Sequence, residues 1–108
     1  MANTKSNQFT LYLRNQFSYD VRGNSKSTVT FILSYISRIA EILGMSLSEF
    51  YLVPDEEHVD YYELLIDELK GMDISITHSR AVKYAYRNYL EFIGNNPHPI
   101  SRRRSYQP

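Results

Sequence analysis

The stretch STVTFILSYISRIAEIL, residues 27–43, decides the fold. Its apolar side chains recur at steps of three and four residues, which places them on one stripe of an α-helix. Seventeen residues without a turn signal also exceed the length of an ordinary strand. The stretch therefore predicts a long amphipathic helix that is N-capped by Ser25 or Ser27. Its expected buried stripe is Val29, Ile32, Leu33, Ile36, Ile39, Ala40 and Leu43.

Three further apolar-periodic stretches accompany this helix, and a glycine follows each of the four within a few residues. Glycine takes the left-handed conformation that closes a helix. The first stretch covers residues 7–19, the third follows Pro54, and the fourth has Thr77 as its expected N-cap. Ser46 and Glu49 form a capping-box pattern that predicts a short extra helical turn. We expect an all-α, compact four-helix domain with no sheet. The four glycines are Gly23, Gly44, Gly71 and Gly94.

The same periodicity predicts the inward faces of the other three helices and the limits of the domain. We expect a flexible N-terminus over residues 1–6, the helical domain over 7–94 and a Pro/Arg-rich linker or tail over 95–108. The expected inward residues are Phe9, Tyr12, Leu13 and Phe17 in the first helix, Val59, Tyr62, Ile66 and Leu69 in the third, and Ala81, Val82, Ala85, Tyr89 and Ile93, joined by Leu90 or Phe92, in the fourth.

Composition limits the classes of protein to which the chain can belong. With 108 residues, 43% of them hydrophobic and 22% charged, it fits one globular domain. The absence of cysteine excludes disulfides, thiolate catalysis and cysteine zinc sites. No apolar run reaches the length of a signal peptide core or the roughly 18 residues of a membrane span. We therefore expect a cytoplasmic protein without a membrane partner.

The residues that could carry catalysis or hold a metal are few. The histidines His58, His78 and His98 lie at helix starts or in the tail, without a nucleophile motif around them. Asp55, Glu57 and His58 come nearest to metal-ligand spacing, but the carboxylates at a helix start are already explained by the helix dipole. We expect no catalysis, metal, cofactor or small-molecule substrate for this chain.

The 12 basic and 12 acidic side chains are separated along the sequence. Residues 1–40 hold five basic and one acidic side chain, residues 41–73 one basic and ten acidic, and residues 74–108 six basic and one acidic. Such segregation is typical of a surface that steers a charged partner. In the fourth helix Arg80, Lys83 and Arg87 follow at steps of three and four, which predicts a basic face that begins where free N–H groups also favour a phosphate.

Two tyrosines of this helix allow two interpretations. Tyr84 and Tyr86 lie among the basic residues of the fourth helix and either stack on a ligand or line the rim of the core with their hydroxyls in water. The sequence does not decide between the two.

Four segments of the chain form a recognisable order. They are an aromatic-rich opening helix (FTLYLRNQF), a long helix with a polar start (SKSTVTFILSYISRIAEIL), a helix with an acidic start (PDEEHVDYYELLIDELKG), and a last helix opening in Thr and a basic residue (ITHSRAVKYAYRNYLEFIG). In this order they resemble the N-terminal core-binding domain of tyrosine recombinases and phage integrases, a SAM-like helical domain.

The resemblance implies that this domain binds one face of double-stranded DNA with the starts of its second and fourth helices. It implies that a separate C-terminal domain of the parent chain cleaves the strand, because this chain lacks the catalytic signature of the family. We expect the domain to be monomeric alone. The DNA contacts carried over are Lys26, Ser27, Thr30, Thr77, Ser79, Arg80, Lys83 and Arg87, with Arg102, Arg103 and Arg104 in the linker.

A second interpretation is a helical protein–protein interaction module, whose acidic, Tyr-rich middle segment over residues 49–68 docks a basic partner. It requires an exposed patch of tyrosine and leucine side chains near Phe50, Tyr51, Tyr61 and Tyr62. An enzyme is a third interpretation, which requires a pocket where histidine and carboxylate groups converge.

Overall fold

Five α-helices and one turn of 3-10 helix form the part of the chain that the computed structural model describes, residues 4–17 and 25–94. The helices are α1 (Lys5–Gln16), α2 (Ser25–Ile42), α3 (Leu47–Leu52), α4 (His58–Lys70) and α5 (Ile76–Phe92), and the 3-10 turn is Asp55–Glu57. No strand occurs within these residues. The all-α prediction is confirmed: α1, α2, α4 and α5 are the four expected helices, and α3 is the expected short one.

Side-chain caps set where three of the helices begin. Ser46 and Glu49 form the predicted capping box at α3, with Glu49 N–H donating to Ser46 Oγ over 3.1 Å and Ser46 N–H donating to Glu49 Oε1 over 2.7 Å. Thr4 caps α1, so that helix begins at Lys5, two residues before the predicted start at residue 7. Residues 4–6 therefore belong to the helical part of the chain.

The predicted cap of α5 is wrong. Ser75 has extended backbone angles, and its hydroxyl accepts the N–H of His78 over 3.1 Å, so Ser75 is the N-cap and Thr77 lies inside the first turn. Both residues have the hydroxyl that a cap requires, and Ser75 lies one residue before the start of the helix. The helix consequently begins at Ile76.

The glycines end helices in two different ways. Gly44 and Gly94 have φ angles of +77° and +73°, the left-handed conformation that was predicted. Gly71 has φ −91° and stays right-handed, which corrects the prediction at that position. At all three glycines the N–H bonds to the carbonyl three residues back, that of Gly71 to Glu68 over 3.1 Å, so the difference lies in the backbone angle. Gly23 lies outside the described residues.

The core is an aromatic cluster built around Tyr89 of α5, which is fully buried. The Tyr89 ring centroid lies 5.0 Å from that of Phe9 in α1, 5.1 Å from that of Phe50 in α3 and 5.0 Å from that of His58 at the start of α4. A single side chain of α5 thus contacts three other helices. α2 packs along α5 and supplies the aliphatic half of the core.

Most of the predicted inward residues are buried, and several others lie at the edge of the core. Phe9, Leu13, Val29, Ile32, Ile36, Ile39, Ala40, Tyr62, Leu69, Val82, Ala85 and Tyr89 are buried as expected. Tyr12, Phe17, Leu33, Leu43, Val59, Ile66, Ala81 and Ile93 are half-buried. Of the two alternatives in α5, Leu90 is buried and Phe92 is half-buried. Phe50, His58, Leu65, Tyr86 and Asn88 are buried without having been assigned to the core.

The hydroxyl of Tyr89 provides a test of this packing, because it is buried and forms no hydrogen bond with a described residue. Tyr89→Phe keeps the ring contacts and removes an unsatisfied polar atom, so we expect the free energy of unfolding to rise by about 1 kcal/mol. Tyr89→Leu removes the ring contacts and should lower it by about 3 kcal/mol. Urea denaturation followed by circular dichroism measures both. A loss of stability in Tyr89→Phe would show that the hydroxyl has a bonding partner and would contradict this packing.

Candidate nucleic-acid interface

The three cations predicted on α5 lie on its outward side. Arg80 is exposed, and Lys83 and Arg87 are half-buried, at steps of three and four residues along the helix. The opposite side of α5 carries the buried residues Val82 and Tyr89. None of the three cations forms an ion pair with a described residue, and the Nε of Arg87 is buried without a hydrogen-bond partner among them. The structure therefore brings Arg80, Lys83 and Arg87 together as one basic face, called the α5 basic face below.

The first turn of α5 adds small polar side chains to this region. Thr77 is exposed and Ser79 is half-buried, and the turn contains no acidic residue. The Ser75 hydroxyl accepts a hydrogen bond from the N–H of His78. The carbonyl oxygen of Ser75 accepts a second one from the N–H of Ser79 over 2.9 Å. The cap thus satisfies amides of the first turn without introducing negative charge, so the positive end of the helix dipole remains uncompensated.

The predicted DNA contacts at the start of α2 are not gathered beside the start of α5 in the way that those on α5 are gathered on one face. Thr30 is exposed on α2, the side chains of Lys26 and Ser27 lie outside the description, and Arg102, Arg103 and Arg104 lie beyond the described residues. The start of α5 adjoins the middle of α2 instead of its start. The Tyr35 hydroxyl lies 3.0 Å from His78 Nδ1, and the two ring centroids are 5.1 Å apart. Because Lys26 precedes Tyr35 by nine residues, it lies about 13 Å further back along the α2 axis.

A groove marks the place where α2 meets the start of α5. Its lining residues are Ser34, Tyr35, Arg38 and His78, and its volume is about 290 Å³. Arg38 is exposed. Sequence reasoning did not include Arg38 or His78 among the contact residues, because only the packing of α2 on α5 brings them together. The one available signal was that Arg38 follows Ser34 by one helical turn on the polar side of α2.

Of the acidic residues of the middle segment, Glu49 lies on α3 and the other seven lie on α4 and on the 3-10 turn before it. Asp60, Glu63 and Asp67 are exposed, while the other side of α4 buries Tyr62 and Leu65 in the core. Lys70 pairs with Asp67 at 3.7 Å on this exposed surface. α5 itself carries one carboxylate, Glu91, in its last turn. The exposed surface of α4 is therefore mainly acidic, whereas α5 carries three basic side chains and one carboxylate.

Of the exposed Tyr/Leu patch that a protein-interaction module requires, the leucines Leu47, Leu52 and Leu64 are exposed, whereas the four aromatic residues are not. Phe50 and Tyr62 are buried in the aromatic cluster, and Tyr51 and Tyr61 are half-buried. These rings pack against α4 and α5, as in the 5.5 Å contact between the centroids of Tyr62 and Tyr86. Tyr86 is fully buried, which settles its role as a core residue, whereas Tyr84 stays half-buried.

His58 is a core residue and not a cap exposed to solvent. Its side chain is buried, its Nδ1 lies 2.8 Å from the Tyr86 hydroxyl, and its ring centroid is 4.9 Å from that of Phe50. Burial lowers the pKa of His58 to about 4, although the nearby carboxylate of Asp55 acts in the opposite direction. Asp55 in turn pairs with Lys5 at 2.8 Å. Within residues 4–17 and 25–94 no three histidine or carboxylate side chains converge as metal ligands would.

Comparison with known family models, curated proteins and solved structures finds no match to this chain. In the described residues, no helix is both long and apolar enough to cross a membrane.

The lowered pKa of His58 predicts a specific dependence of stability on pH. The unfolded chain, with a histidine pKa near 6.5, takes up a proton before the folded chain does, so this contribution to stability is complete above pH 6.5 and is lost as the pH falls towards 4. The loss should reach about 3 kcal/mol. Urea denaturation of the wild type and of His58→Asn at several pH values isolates it. The difference in unfolding free energy between them should shrink as the pH falls, and a constant difference would contradict the burial of a neutral His58.

Proposed function

We propose that this chain is a DNA-binding domain that contacts the backbone of duplex DNA with the α5 basic face. The observation that carries the proposal is the arrangement of Arg80, Lys83 and Arg87 on one side of α5, without ion-pair partners among the described residues. Cations that are already neutralised by carboxylates of the same protein contribute little to the binding of an anionic partner. Unpaired cations in a row attract a polyanion and can follow the spacing of its phosphates.

The physical basis of such binding is counterion release. Each phosphate that a lysine or arginine neutralises releases condensed cations, so affinity falls as salt rises, with a slope of about −0.9 per contact on a double logarithmic plot. Four contacts, from the α5 basic face and Arg38, correspond to a slope of roughly −3.6. An isolated domain with this number of contacts should bind with a dissociation constant of roughly 10⁻⁴ to 10⁻⁶ M.

Polar side chains next to the cations supply the means to distinguish bases. Thr77 and Ser79 lie in the first turn of α5, and Thr30 is exposed on α2. Phosphate contacts fix the position of a protein on DNA but carry no sequence information, whereas hydroxyls that reach base edges do. In this proposal the cations position the domain on the backbone, and these hydroxyls read the groove.

The acidic surface of α4 restricts how the duplex lies on the domain. Asp60, Glu63 and Asp67 are exposed there and would repel phosphates at close range. The domain therefore binds DNA on one face only, with the exposed side of α4 turned away from the duplex.

The resemblance to core-binding domains extends the proposal to the parent protein. We place strand cleavage in a separate C-terminal catalytic domain of a longer chain and assign the described residues to binding alone. The linker arginines Arg102, Arg103 and Arg104 would follow the backbone between the two domains. A cytoplasmic location, in keeping with the absence of cysteine, belongs to the same proposal.

Titration of a fluorescently labelled duplex tests the proposal. In low salt we expect saturable binding, which weakens as salt is added. Arg80→Glu combined with Lys83→Glu should lower the affinity at least tenfold and make the salt slope shallower by about 2, because two phosphate contacts are lost.

The matched control is Lys70→Glu, which reverses a charge that is exposed on α4 and already paired with Asp67. This variant should bind nearly as tightly as the wild type. Absence of binding at tens of micromolar protein in low salt, or equal losses in the α4 and α5 variants, would contradict the proposal.

A further inference from the structure

The groove between α2 and α5 holds two hydrogen-bond donors that no other described group engages. Of its four lining residues, Arg38 forms no ion pair with a described residue, and His78 uses only one of its ring nitrogens. We propose that this groove binds a phosphate oxyanion, with the Arg38 guanidinium and the His78 imidazole as its donors. If the phosphate belongs to a DNA backbone, the inference rests on the proposed function. If it is free phosphate, the inference is independent of that function.

The hydrogen bond between Tyr35 and His78 prepares the imidazole as a donor. When the Tyr35 hydroxyl donates to Nδ1 over 3.0 Å, the single proton of the neutral ring lies on Nε2. This Nε2–H forms no hydrogen bond with a described residue. An oxyanion that accepts from Nε2 favours this tautomer, so ligand and Tyr35 act on the ring in the same direction.

Tyr35 is therefore a positioning residue. Its own ring is held by Phe31, whose centroid lies 4.9 Å away on the same helix, and by the 5.1 Å contact with His78. These contacts fix the phenol against α5 and keep its hydroxyl at Nδ1.

Arg38 supplies the charge and the geometry that suit a phosphate. The guanidinium is planar and always protonated, and it can donate two parallel hydrogen bonds to two oxygens of one phosphate. Ser34 forms part of the wall and is not a third donor, because its hydroxyl already donates to the carbonyl of Phe31 over 3.0 Å. Glu41, the next acidic residue along α2, is exposed and does not line the groove.

The test with free ligand follows the side-chain nuclear magnetic resonance signals of the protein while inorganic phosphate is added. We expect saturable shifts of the His78 ring and of the Arg38 Nε–H, which sodium chloride of equal ionic strength does not produce. Arg38→Gln should weaken phosphate binding about tenfold, since a charge-assisted hydrogen bond is lost. Lys70→Gln removes the same charge from α4 and should leave binding unchanged. Shifts that do not saturate, or that are equal in both variants, overturn the inference.

The role of Tyr35 has its own spectroscopic readout. The nitrogen chemical shifts of the His78 ring report which nitrogen holds the proton. Tyr35→Phe should move the proton population towards Nδ1 and weaken phosphate binding, while the aromatic packing is retained. An unchanged tautomer together with unchanged phosphate affinity overturns the assigned role of Tyr35.

A titration with duplex DNA separates this inference from the proposed function. If Arg38→Gln lowers duplex affinity as well as phosphate affinity, the groove holds a backbone phosphate and the inference is supported. If duplex binding depends on Arg80 and Lys83 but phosphate shifts neither His78 nor Arg38, the inference fails and the proposed function stands. If phosphate binds in the groove but duplex does not bind in low salt, the proposed function fails and the groove is a site for free phosphate.

Discussion

The ring of Tyr89 lies against side chains from three other helices, and the positions of α1, α3 and α4 relative to α5 depend on these contacts. Phe9 fixes α1, Phe50 fixes α3 and His58 fixes the start of α4, all on the same residue of α5. Because this face of α5 is committed to the core, the opposite face must point outwards. The position of the α5 basic face is thus a consequence of the packing of Tyr89.

Features set by neighbours in sequence were predictable. The apolar stripe of α2, the capping box of Ser46 and Glu49 and the left-handed Gly44 all depend on residues within a few positions of each other. The cap of α5 shows the limit of such rules, since Ser75 and Thr77 both satisfy them and the backbone angles decide for Ser75. Gly71 shows another limit, because a helix can also end by a tightened right-handed turn.

Features set by contacts between helices were not predictable. The three acidic residues before His58 would indicate a side chain that is exposed to solvent. His58 is nevertheless buried, because Phe50 and Tyr86 enclose it from two other helices. The candidate site likewise has one part that could be predicted from the sequence and one part that could not. The α5 basic face follows from spacing along one helix, whereas the pairing of Arg38 with His78 requires the register of α2 against α5, which no local pattern encodes.

The central claim is that one face of the domain, formed by α5 and the adjoining part of α2, meets DNA while α4 is turned away. The most direct test is to add duplex to isotopically labelled protein in low salt and to map the amide resonances that shift. We expect the largest shifts at Thr77, Arg80, Lys83 and Arg38, with little change between residues 60 and 68. Shifts concentrated on α4, or the absence of shifts in low salt, would contradict it.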